Sequence, residues 1–157
     1  MPVRLASPDE AEKLWEIRNQ AIRHGCKNTY DEQVILAWTP DLMPPGYRTA
    51  VASNPFFVVD SPEGKIPVAT GYLDLQNHSV EAIFTLPDFT GKGYARRILD
   101  AIKAEAKQRG LVALTLSSTP NAFTFYQKNG FNLVRESLHH SGMAKADLRC
   151  MDMRCEL

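Results

Sequence analysis

The chain has no surplus charge of either sign: Lys plus Arg and Asp plus Glu each number 18, and the formal net charge is zero. A protein that grips nucleic acid or an anionic membrane through a broad surface needs a cationic excess, so that class is excluded and only a local basic patch remains open. No apolar run approaches the ~20 residues that cross a bilayer. The opening Met1-Pro-Val-Arg-Leu-Ala6 lacks the apolar core of a secretory leader, so a cytoplasmic location is expected. Cysteines are few. Cys26, Cys150 and Cys155 form no CxxC pair, and an odd count points to reduced thiols rather than a disulfide framework. His139-His140 has no further ligands at metal spacing along the chain, so no metal is expected. Repeats, low-complexity tracts and linkers are absent too, and 157 residues with a 44% hydrophobic fraction read as a single domain, 1–157.

What is present alternates between two periods. Val3 to Ala6 suits a strand, and Ser7-Pro-Asp-Glu10 has the form of a capping box with proline at the first helical position. Leu14, Trp15, Ile17, Ala21 and Ile22 then give a helical stripe that Gly25 stops. Thr29 and Glu32 repeat the capping-box spacing before a shorter helix with Val34, Ile35 and Trp38. Thr39 to Arg48, with three prolines and a glycine, reads as a loop. Phe56–Asp60, Val68–Leu75 and Val80–Leu86 suit an antiparallel meander joined by the turns Ser61-Pro-Glu-Gly64 and Gln76-Asn-His-Ser79. A helix is predicted over 94–109 and a strand buried on both faces over Leu111–Leu116. A short helix reaching Gly130 and strands over Phe131–Leu138 and Leu148–Leu157 complete the chain. The order β-α-α-β-β-β-α-β-α-β-β indicates an α/β fold with a sheet of mixed direction and helices on its faces.

The most informative stretch is Leu86-Pro-Asp-Phe-Thr-Gly-Lys-Gly-Tyr-Ala-Arg-Arg-Ile-Leu99. A strand ends at Pro87, Gly91 and Gly93 follow in a short loop, and a helix begins at once. Glycines at such a turn let backbone N–H groups face an anion without a Cβ in the way, and the helix dipole adds to the attraction. This is a cradle for phosphate or pyrophosphate.

With this loop placed, the chain resembles the GNAT superfamily of acyl-CoA-dependent N-acetyltransferases. That family's signature is Gln/Arg-x-x-Gly-x-Gly/Ala after the fourth strand, and here Thr90-Gly91-Lys92-Gly93-Tyr94-Ala95 occupies the place. Gly93 and Ala95 match, and Thr90 departs from the usual first residue. A second segment, Asn121-Ala-Phe-Thr-Phe-Tyr126-Gln-Lys-Asn-Gly130-Phe131, is similar to the family's Asn-x-x-Ala-x-x-Phe-Tyr-x-x-x-Gly-Phe, with its alanine displaced. The resemblance runs from about residue 2 to the C-terminus. It implies a mixed, mostly antiparallel twisted sheet of six or seven strands with about four flanking helices. It further implies acetyl-CoA as co-substrate, with the pyrophosphate over Gly91, Lys92, Gly93, Tyr94, Ala95 and Arg96. Backbone groups of Phe84, Thr85 and Leu86 would contact the pantetheine arm or the acetyl carbonyl, and Asn121 would bond nearby. Tyr126 is implied as the acid that protonates the departing thiolate.

An attacking amine must also lose a proton. Glu81 is the candidate base, because strand alternation puts Glu81, Ile83 and Thr85 on one face; Asp74, His78 and His139 stand behind it. His24, Tyr30, Trp38, Tyr47, His139 and His140 are candidates to line an amine pocket, and the amine's identity is left open. A homodimer through the late strands is implied by many relatives. A dinucleotide-binding reading fails because the strand ending Leu116-Ser-Ser-Thr119 carries no acid for a ribose. A Walker loop fails because Lys92 is not followed by Ser or Thr. The remaining alternative is an acyl-CoA-binding sensor of the same fold that does not catalyse.

Overall fold

The computed structural model describes residues 2–64 and 66–157. Its seven strands form one sheet in the order β1-β2-β3-β4-β5-β7-β6. In chain order these are β1 (Val3–Leu5), β2 (Phe56–Asp60), β3 (Pro67–Asp74), β4 (Ser79–Thr85), β5 (Ala113–Ser118), β6 (Asn132–Ser141) and β7 (Ala146–Glu156). The helices are α1 (Ala11–Gly25), α2 (Glu32–Trp38), α3 (Pro45–Ser53), α4 (Tyr94–Gln108) and α5 (Phe123–Lys128). Every neighbouring pair of strands is antiparallel except β4 and β5, which run parallel. A parallel neighbour demands a crossover, and α4 supplies it.

Local chemistry explains most of these elements. Ser7 accepts from the Asp9 amide while Glu10 reaches back to the Ser7 amide, so the predicted capping box forms. The second one does not. Asp31 is the residue before α2 and makes no side-chain cap, while Thr29 turns its hydroxyl toward Asn121. The proline-rich segment read as a loop contains the start of α3: Pro45 sits at its first position, where a missing N–H costs nothing.

Two cores lie on opposite faces of the sheet. On one face, Ile98, Leu99, Ile102 and Ala106 of α4 are fully buried against Val59, Ala69, Leu73 and Leu114. On the other, Ala11, Leu14 and Ile17 of α1 pack on Phe56 and Val58. That second layer covers only the β1–β4 half. The alternation of β5 shows the consequence: Leu114 and Leu116 are buried while Thr115 and Ser117 are exposed. The expectation of a strand covered on both sides is therefore corrected, because no helix among the described residues shields this face of β5.

A bulge in β4 overturns a second expectation. Ala82 and Ile83 together stand opposite the single Gly71 of β3, and Ala82 takes a left-handed φ of 55°. The extra residue resets the alternation. Glu81 pairs with Tyr72 on the α1 side, Ile83 packs on the α4 side, and Phe84 returns to the α1 side. Glu81 thus shares its face with Phe84 and not with Ile83 and Thr85. Gly71 makes the bulge possible: a Cβ there would lie 2.7 Å from Ile98 Cγ2 and 2.8 Å from Ile83 Cγ1. Gly71→Ala should cost about 1–3 kcal/mol through overpacking, read as a lower urea midpoint with an unchanged slope.

Candidate active site

β4 and β5 touch and then part. Their register consists of one pair, Ser79 with Thr115, secured by the Thr115 amide donating to the His78 carbonyl at 3.2 Å. Beyond it, the β5-facing side of β4 lacks strand partners among the described residues, leaving main-chain donors and acceptors along a wedge-shaped gap. The Leu86 amide donates to the Val68 carbonyl at 2.8 Å, so it is committed to β3. Ladder alternation commits Phe84 the same way and turns the Thr85 N–H and C=O toward the gap. Of the three backbone positions anticipated, Thr85 is the one that faces the opening. Phe84 instead packs its ring beneath α1 and α2.

A cavity of about 230 Å³ fills this wedge, lined by Ile22 and Cys26 of the α1 end, Ile83 and Thr85, and Asn121 and Tyr126 from the β5–α5 side. Through Thr85, Thr90, Ala95 and Phe125 it continues into a second recess that holds Gly91, Gly93, Tyr94 and Arg96. There Gly91 and Gly93 have φ of 76° and 82°, left-handed values that favour glycine. The first helical bond of this turn runs from the Arg97 amide to the Gly93 carbonyl. The six preceding amides, Gly91 to Arg96, have no acceptor among the described residues. Lys92 and Arg96 are exposed beside them and make no ion pair among the described residues. Six N–H groups without acceptors among the described residues and two exposed cations put positive charge at this recess, which is what a multiply charged anion would require.

At the inner end of the wedge, Tyr126 is buried, with its ring edge-on to Phe125 and Phe131. Burial raises its phenol above the ordinary range, and the nearby Glu81 carboxylate adds to the shift. Glu81 is half-buried and accepts from the Ser79 hydroxyl at 2.9 Å. Burial pushes its carboxyl up, the Ser79 bond partly opposes this, and Asp74 pushes it further. Asp74 itself holds the next turn by accepting from the Gln76 and Asn77 amides, and His78 sits in that turn at a φ of 52°.

Glu81 also lines a wider groove of about 630 Å³ on the uncovered face of β5–β7–β6, with Ser79, Ser117, His139 and Asp152. Asp152 is the hub there. It accepts from Ser117 and Ser137, each at 2.9 Å, lies 3.1 Å from His139 Nε2, and is bonded by Arg135 at 3.2 Å. Burial works against this carboxylate, yet the bonds from Ser137, Ser117 and His139 hold it below its usual range.

The proposed amine-pocket residues do not assemble as a group. His139 reaches the groove, and His24 lines the smaller cavity. The Tyr30 hydroxyl donates to the Arg149 carbonyl at 2.6 Å, tying the α1–α2 corner to β7, and its ring meets Trp38 edge-on. Tyr47 lies in the core between Trp15 and Phe56, and His140 pairs with Asp147 at the hairpin end. Ile83, Cys26 and Ser117 carried no signal in the sequence, because a bulge, a helix end and an uncovered face bring them to the site.

These features define an acetyltransferase fold with a splayed sheet. Residues 26–157 match the acetyltransferase (GNAT) domain model, and the chain belongs to that family. Among curated proteins, an uncharacterized acetyltransferase of Streptococcus pyogenes is 35% identical over 69 residues, 41% of this chain and 48% of that one. The chain thus spans about half the length of the curated relatives it matches. Solved structures agree over nearly the whole chain. A GCN5-related N-acetyltransferase from Rhodopseudomonas palustris has a TM-score of 0.88 at 20% identity, covering 99% of this chain and 94% of that one. The PaiA N-acetyltransferase from Thermoplasma acidophilum, in complex with coenzyme A, has a TM-score of 0.78 at 16% identity and covers 99% and 98%. The yncA protein from Salmonella typhimurium, with its cofactor acetyl-CoA, has a TM-score of 0.65 at 22% identity and covers 100% and 94%. The seven strands fall within the six or seven expected, and the described residues hold five α-helices against about four.

Asn121 ties the two sides of the wedge together: its side-chain oxygen accepts from the Cys26 thiol and the Thr29 hydroxyl, each at 3.5 Å. Asn121→Ala should lower stability by about 0.5–1.5 kcal/mol, measured by urea unfolding.

Proposed function

We propose that this chain transfers an acetyl group from acetyl-CoA to a primary amine, by direct attack within a ternary complex. One observation carries the reading: six consecutive amides without acceptors among the described residues open onto a cavity that reaches Tyr126, whose phenol feels the Glu81 carboxylate from the neighbouring groove. The amides of Gly91, Lys92, Gly93, Tyr94, Ala95 and Arg96 match the negative charge of a diphosphate, and the Lys92 and Arg96 side chains add to it. The open edge of β4 offers Thr85 main-chain groups to an extended amide-bearing arm, which would bind as an added strand. Neighbouring structures that hold coenzyme A or acetyl-CoA support this choice of ligand.

Each residue then has a role that its surroundings suit. The amine approaches from the Glu81 groove, on the face of β5 that no helix covers. Glu81, raised by burial, accepts the amine's proton as nitrogen bonds to the acetyl carbon. A main-chain N–H at the β4 bulge stabilises the oxygen that gains charge. Collapse releases the thiolate, and Tyr126, protonated throughout the neutral range, donates a proton to it. Asn121 and Cys26 hold the wedge at the width that admits the arm. No helix among the described residues is long and apolar enough to cross a membrane, consistent with a site that meets its substrates in water.

Calorimetry of the full chain with acetyl-CoA should show one-site binding that Gly93→Ala weakens, and an absence of heat would remove the proposal. Tyr126→Phe should lower kcat by about 10²–10⁴-fold with acetyl-CoA affinity preserved. Binding without turnover on an amine panel would instead favour the non-catalytic sensor. A base works only when ionised, so kcat/KM should rise with pH through an ionisation above the ordinary carboxylate range. Glu81→Gln should lower kcat and abolish that limb, and a profile identical to that of the unaltered protein would remove Glu81 as the base.

A further inference from the structure

The hub beside Glu81 contains donor atoms of three kinds that no step above uses. His139 Nε2, Cys150 Sγ and an Asp152 carboxylate oxygen all lie within 4.8 Å of one another. They come from the β6–β7 hairpin, where Ser137 pairs with Cys150, His139 with Leu148 and Arg135 with Asp152. All three therefore project from the same face. His139 Nε2 is 3.1 Å and Cys150 Sγ is 4.0 Å from the same oxygen, Asp152 Oδ1. Tetrahedral zinc with ordinary bond lengths needs edges of about 3.3 Å between nitrogen and oxygen and about 3.6 Å between sulfur and oxygen. The two separations to Oδ1 differ from their targets by less than about half an ångström, and His139 Nε2 lies within 4.8 Å of Cys150 Sγ, so side-chain rotations would have to bring that third edge to about 3.6 Å.

The supporting shell has a matching arrangement. Ser137 and Arg135 bond Asp152 Oδ2, while Oδ1 faces His139 and Cys150 and also accepts from the Ser117 hydroxyl, so a cation would be ligated through Oδ1 with Ser117 as a further hydrogen-bond partner. Imidazole, thiolate and carboxylate together favour a borderline-soft cation over calcium or magnesium. The groove in front of His139 and Asp152 leaves room for a fourth ligand from solvent.

We propose that His139, Cys150 and Asp152 form a binding site for a divalent zinc-like cation on the floor of the Glu81 groove. Binding forms bonds from Nε2, Sγ and Oδ1 to the cation, and the thiol proton leaves to solvent. Cys150 is buried and its thiol is pushed up by burial, so without the cation it is protonated and inert. The site stands on this hairpin alone and does not depend on the transferase reading.

Cobalt(II), used as the probe with the full chain under a phosphine reductant, tests the proposal without any assay of turnover. One equivalent should produce a thiolate-to-cobalt charge-transfer band in the near ultraviolet and visible bands of tetrahedral strength. Added zinc should bleach both by displacement. Cys150→Ser should abolish the charge-transfer band, His139→Ala should weaken affinity by about 100-fold or more, and Ser137→Ala by about 10-fold. His139 is exposed, so His139→Ala carries the test if Cys150→Ser fails to fold, with circular dichroism as the check. The proposal is overturned if excess cobalt yields no band, if His139→Ala binds as the parent does, or if the band survives in Cys150→Ser, which would assign it to Cys26 or Cys155.

Discussion

The architecture depends on a single parallel junction. β4 and β5 are joined at Ser79 and Thr115 and nowhere else along their length. Had they zipped together, the sheet would be continuous and the main-chain groups of β4 would be spent on β5. Because they part, the protein keeps an unpaired strand edge in its interior, a feature that β-proteins usually cover or blunt. α1 and the 3-10 turn before α5 prop this edge open through Asn121, Cys26 and Thr29. The cavity that reaches Tyr126 follows from that divergence.

A second asymmetry divides the sheet lengthwise. Helices pack on both faces of the β1–β4 half, whereas no helix among the described residues packs over Thr115 and Ser117 of β5. This open face carries a polar cluster, Ser117, Asp152, Arg135 and His139, beside the exposed Val134. Its polar network abuts Glu81 through the same gap that admits the cavity from the other side. Burial in the low-dielectric wedge raises both Glu81 and Tyr126, while hydrogen bonding keeps Asp152 ionised. Two carboxylates are thus shifted in opposite directions by their surroundings alone.

Legibility in the sequence followed the range of the interaction. The α1 capping box, the glycine loop and the amphipathic face of α4 are short-range patterns, and each took the form its residues indicated. The start of α3 was obscured because prolines suit loops and first helical turns equally. The face of Glu81 could not be obtained by counting, since a bulge at Ala82 shifts the parity and depends on Gly71 of the neighbouring strand. Tyr47 carries a polar group suited to a pocket, yet it lies among Trp15 and Phe56 once α3 folds onto α1.

By itself the sequence determined the glycine loop with its open amides and the family. Left-handed glycines before an amphipathic helix expose amides whatever else the chain does, and the two motifs are matters of residue order. The tertiary structure alone decided which groups share a space. The width of the wedge, the side on which Glu81 emerges and the gathering of His139, Cys150 and Asp152 arise from strand register and helix coverage. Those depend on contacts between residues far apart in the chain, where no local spacing records them.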